Sequence, residues 1–155
     1  TPAPTPAPTP APIEVVKPKL EMTFQGIDYN LLQQDAGAKA GVEGAIKNVT
    51  VESFNAQTSV SITAADVEVI LSQGSLRAEA IITPPASADV SAFVNSVSST
   101  ASTLAALAVT KIEAVPSISS VTNGAITGTV TATTITVTIL PTPAPTPAPT
   151  PAPTP

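Results

Sequence analysis

Apolar residues recur along residues 13–140 at two spacings, and the switches between them mark out the elements. Leu20, Met22 and Phe24 alternate with Glu21, Thr23 and Gln25, the period of a half-buried strand, which is expected to end at Gly26. Ala38, Val42, Ala45, Ile46 and Val49 then follow helical spacing. Gly37, Gly41 and Gly44 weaken that helix, each by about 1 kcal/mol relative to alanine, so close packing on a sheet is expected to hold it. Val67, Val69 and Leu71 restore the strand period beside Glu68 and Ile70, and Gln73-Gly74-Ser75 turns the chain into Leu76–Thr83, a hairpin stopped by Pro84-Pro85. Val90, Phe93, Val94, Val97, Ala101, Leu104, Ala108, Ile112 and Val115 predict a long amphipathic helix ended by Pro116, with a break expected near Ser98–Ser102. In the last segment Ile135, Val137 and Ile139 alternate with Thr134, Thr136 and Thr138, whereas Val130 and Ala132 have the opposite parity. The change at Thr133-Thr134 predicts a bulge or a boundary between two strands.

The order is β-α-β-β-α-β, and the predicted fold is α+β: a ferredoxin-like antiparallel sheet with two helices on one face. In that topology the first strand begins where the last one ends. Both flanking segments would leave one pole, through a neck in which Ile13 and Val15 pair with Ile135–Ile139.

Composition changes the picture at the ends. Of 18 prolines, six lie in residues 1–12 and eight in residues 141–155, where the chain repeats Thr-Pro-Ala-Pro. Proline at every second position fixes φ and pushes the intervening residues toward extended ψ, so both ends are predicted to be polyproline II. At about 3.1 Å per residue they would reach roughly 37 and 46 Å. The domain reading is a stalk over 1–12, a globular bead over 13–140 and a second stalk over 141–155. A bead flanked by the same shaft on both sides looks like one period of a beads-on-a-string polymer.

The chain has no cysteine, histidine or tryptophan. It therefore lacks a thiolate nucleophile, an imidazole base and Cys/His zinc ligands, which argues against an enzyme and leaves no expected metal or cofactor. A net charge of −5 with scattered basic residues argues against nucleic acid and anionic membranes as partners. No uninterrupted apolar run is long enough to predict a membrane span or a signal peptide in this segment.

The non-contiguous Thr-Pro and Ala-Pro dipeptides resemble the hydroxyproline-rich, arabinogalactan-type glycoproteins of plant and algal surfaces; mucin-like stalks and bacterial glycanase linkers are similar in composition. The resemblance implies O-glycosylation of Thr1, Thr5, Thr9, Thr142, Thr146, Thr150 and Thr154. It also implies hydroxylation and glycosylation of Pro2, Pro4, Pro6, Pro8, Pro10 and Pro12, and of Pro141, Pro143, Pro145, Pro147, Pro149, Pro151, Pro153 and Pro155. The stretch Val67–Ile82 resembles the central hairpin of SEA-type domains, extracellular β-α-β-β-α-β modules found beside O-glycosylated segments. Some of these cut themselves at a Gly-Ser bond in the turn, which here would be Gly74-Ser75. Leu76-Arg77-Ala78 departs from the apolar run that follows the serine in cleaving members.

Asn48-Val49-Thr50 is the chain's N-glycosylation sequon. Asp66 and Glu68, two apart, are more readily a solvated strand face than a cation site, since calcium takes six to eight oxygens. The row Thr134, Thr136 and Thr138 adjoins the stalk and could extend its glycosylation. The expected function is a repeat unit of an extracellular O-glycosylated fibril or cell-surface appendage, its partners covalent glycans and copies of itself, similar to an algal or protist glycofibril. The alternatives are a carbohydrate-binding adhesive module on a linker and an autoproteolytic SEA module.

Overall fold

The computed structural model describes residues 11–140. The expected polyproline II shafts and all their candidate modification sites except Pro12 lie outside the described residues; Pro12 is exposed. The elements are β1 (Ile13–Ile27), α1 (Tyr29–Gln34), α2 (Ala36–Gln57), β2 (Val67–Ser72), β3 (Leu76–Ile82), α3 (Val90–Glu113) and β4 (Thr122–Ile139), with short 3-10 turns at Ala64–Asp66 and Ile118–Ser120. The chain divides into two compact units. One is Val16–Ile135; the other joins the described residues before it, up to Val15, with those after it, from Thr136.

The strands form one four-stranded antiparallel sheet in the order β2-β3-β1-β4, an α+β arrangement compatible with a ferredoxin-like fold. Strand register decides which side chains share a face. Leu20, Met22 and Phe24 of β1 stand opposite Ala80, Ala78 and Leu76 of β3, and Val67 of β2 stands opposite Ile82. All eight are buried. Over them lie Val42, Ile46, Val49 and Phe54 of α2 with Phe93, Val97, Leu104 and Ile112 of α3, in one core. The Phe54 and Phe93 rings meet at 4.8 Å, tilted by 49°. Each such side chain contributes roughly 1.5–3 kcal/mol by leaving water. The opposite sheet face is polar: Glu21 and Glu79 stand directly across from each other, and Lys19 offsets their repulsion, with Nζ 2.6 Å from Glu21 and 3.6 Å from Glu79.

Aspartates start the helices. Asp28 accepts from the amides of Asn30 and Leu31, Asp35 from Ala38 and Asp89 from Ala92, each binding donors that the first turn leaves unpaired. Asp28 and Asp35 also account for α1, a short helix that the apolar spacing does not reveal.

Four expectations change. The long helix is unbroken through Ser98–Ser102: Ser98 Oγ donates to the Val94 carbonyl and Thr100 Oγ1 to that of Ser96, so the hydroxyls are satisfied within the helix. The glycines of α2 do not bring it onto the sheet. Gly41 lies against Val115 beyond the end of α3, and a side chain at Gly44 would meet nothing within 4 Å. The first strand passes through Gly26, whose φ of 83° suits only glycine comfortably, and ends at Ile27. β4 is one continuous strand, so Thr133-Thr134 is not a boundary. The parity change falls there all the same: Ile126, Gly128, Val130 and Ala132 are sheltered before it, Ile135 and Val137 after it, and both threonines are exposed.

In the smaller unit, Ile13–Val15 opening β1 and Thr136–Ile139 closing β4 are both strand. Incoming and outgoing chain therefore belong to one compact body.

Two predictions follow from packing and charge. Gly44→Ala raises stability in urea unfolding by about 0.5–1 kcal/mol through helix propensity, whereas Gly41→Ala lowers it by about 1 kcal/mol because its methyl overlaps Val115. The backbone amides of Ala38 and Thr63 hold Asp35 and Asp66 below the ordinary 3.8, and the Lys19 hydrogen bond holds Glu21 below 4.5. Their stabilisation is complete above those ordinary values and is lost as pH falls through the lowered ones. Lys19, held above 10.5 by its hydrogen bond to Glu21, loses its contribution only as pH rises through that raised value. With no histidine or cysteine side chain titrating between, the thermal midpoint should be flat from about pH 5 to 9 and fall on both sides; a midpoint that changes within that range contradicts this.

Candidate functional site

The hairpin tip is where self-cleavage would have to occur. Gln73, Gly74 and Ser75 form the turn between β2 and β3, and Gly74 adopts φ 126°, a conformation that explains the glycine. The turn is exposed and nothing lies within 4 Å of a Cβ built on Gly74. Attack by Ser75 Oγ on the Gly74 carbonyl needs a strained carbonyl and an acceptor for the hydroxyl proton. No side chain among the described residues hydrogen-bonds to Ser75, and no packing presses on the turn.

The sequon occupies the middle of α2. Asn48 is exposed, but Thr50, on the other side of the helix, is buried and donates its hydroxyl to the Ile46 carbonyl at 2.8 Å. A glycan on Asn48 would project freely, while the threonine half of the motif is hidden once α2 has packed. Asn48 borders a shallow cleft with Gly41, Gly44, Lys111 and Pro116. Asn48 and the Gly74-Ser75 tip sit on separate elements and make no common site.

Asp66 does not form a cation site with Glu68. Its carboxylate accepts from the Thr63 amide and hydroxyl, both at 2.8 Å, which caps the 3-10 turn, while Glu68 is exposed on β2. Among the described residues no three Asp or Glu side chains cluster as metal ligands.

Phe24, Phe54 and Phe93 are fully buried, and of the chain's four aromatics only Tyr29, half-buried at the edge of the core, reaches solvent. Phe54 was legible as the continuation of the Ile46–Thr50 spacing, one helical repeat on. A groove between α2 and α3, with Ala56, Thr103 and Leu107 on its walls, has no sequence signature because the crossing of the two helices creates it. Gln57 Oε1 lies buried there with no hydrogen-bond partner among the described residues, while its amide nitrogen donates to Ser53. Among the described residues one helix, α3, is long and apolar enough to cross a membrane. Its Phe93, Val97, Leu104, Ala108 and Ile112 are buried in the core.

No family model, curated protein or solved structure matches this chain.

The uncrowded tip predicts that the purified chain stays intact at Gly74-Ser75. Denaturing electrophoresis after prolonged incubation at neutral pH should give one band, and Ser75→Ala should not alter it; two fragments that disappear in Ser75→Ala would establish self-cleavage.

Proposed function

We propose that this chain is one structural repeat of an extracellular, glycan-coated fibre or surface appendage, a bead of SEA-like, ferredoxin-like topology carried on Thr-Pro-Ala-Pro shafts. The observation that carries the reading is the identical repeat on both sides of one bead. A linker joins two unlike things, whereas a unit flanked by the same shaft on both sides can be repeated indefinitely.

Two features support it. The start of β1 and the end of β4 share a compact body, and β1 and β4 are neighbours in the sheet, so a pull along the shafts would load two adjacent strands. The surface is also suited to a hydrated, uncharged sheath: only 11% of residues are charged, and α3 turns Ser98, Ser99, Thr100, Ser102 and Thr103 outward. Proline supplies stiffness and sugars on threonine and hydroxyproline keep water and exclude proteases. A carbohydrate-binding module is the weaker reading, because sugar sites commonly stack on exposed aromatics and this chain buries three of its four rings.

Intact-mass and glycopeptide analysis of native material tests the proposal. The expected result is added sugar on Thr5, Thr9, Thr142 and Thr146 and hydroxylation of prolines beside them. Bare threonines with unmodified prolines would overturn it.

A further inference from the structure

β4 is the outer strand of the sheet, and among the described residues nothing pairs with its far edge. It is 18 residues long, against 6 for β2 at the opposite edge. An edge of this kind offers backbone N–H and C=O groups on alternate residues to another strand. Edges are usually blocked by shortness, charge or proline. β2 is blocked by its length and by the exposed Glu68. β4 carries no such device from Ala125 to Thr133: Glu113 is the last charged residue of the chain, and no proline occurs between Pro116 and Pro141.

The chain's own ends are poor occupants, since every second residue lacks an N–H. A second β4 suits the edge better. Two uncharged strands do not repel, and an antiparallel pair with its two-fold axis at Thr129 sets Thr127 opposite Thr131 of the second copy, a favourable cross-strand pairing. Within the same register Gly128 faces Val130 of the second copy, small against large on the sheltered side. We infer that two copies of this chain pair antiparallel through β4 about Thr129, joining their sheets into one continuous sheet and tying two shafts together at their beads. The pairing is a property of the bare polypeptide and needs no glycan, so it goes beyond the fibre reading.

Sedimentation equilibrium of the unmodified chain from micromolar to millimolar concentration should show a monomer–dimer equilibrium. Thr129, exposed in the monomer, allows the interface to be charged without touching the core. Thr129→Lys and Thr129→Glu should each weaken dimerisation about fivefold by placing like charges opposite one another, and an equimolar mixture should recover it. Ser102→Lys, on the exposed side of α3, should leave it unchanged. The chain has no cysteine, so Thr129→Cys should form a disulfide-linked dimer under mild oxidation while Ser102→Cys stays monomeric; this arm stands even if a charged variant folds poorly. A chain monomeric throughout, or a dimer indifferent to the Thr129 substitutions, would overturn the inference. Unmodified native shafts would defeat the fibre reading and leave these outcomes as they are.

Discussion

Phe24 sits at the point where the layers of this protein meet. Its ring is fully buried, stands opposite Leu76 on β3 and lies beside Gly128 on β4. A Cβ on Gly128 would come within 3.0 Å of Phe24 Cδ1 and 3.1 Å of Val109 Cγ2 on α3. The absence of a side chain at one position of β4 thus allows a strand, a helix and an aromatic ring to close on one another. The same economy recurs at Gly26, whose backbone is pressed against the Ala125 carbonyl, and at Gly41 against Val115. Interiors are packed to crystal density, so these contacts fix where β4 and the end of α3 lie.

The architecture that results is one-sided. Antiparallel sheets tolerate water on one face, and here that face carries the Lys19–Glu21–Glu79 group on its inner strands and a row of threonines on β4. Hydroxyls replace charge over much of the surface. On α3 they are partly satisfied by the helix's own carbonyls, which keeps an apolar, weakly charged helix compatible with water.

The proposed role follows from these two traits together. A bead whose incoming and outgoing strands share one body can be inserted into a shaft at a single place. A surface dressed in neutral hydroxyls meets a sugar sheath without electrostatic conflict. The uncharged β4 edge adds a means of lateral association, which a fibre subunit can exploit and a freely diffusing monomer would have reason to block.

Much of this was written in local pattern. Alternation at Leu20–Phe24 and Val67–Leu71, the helical spacing of Val90–Ile112, the turn at Gly74 and the parity change at Thr133-Thr134 each depend on nearest neighbours along the chain, and each appears where the spacing places it. The Thr-Pro-Ala-Pro ends and the missing histidine and cysteine are likewise facts of sequence. What the tertiary structure decided involves residues far apart. Gly41 answers to Val115 and not to the sheet, Thr50 is hidden while Asn48 two residues away is exposed, the serines of α3 do not break it, and the edge of the sheet falls on β4. None of these is legible locally, because burial and strand order are set by which distant surfaces fill the same volume, and spacing along a chain carries no information about that.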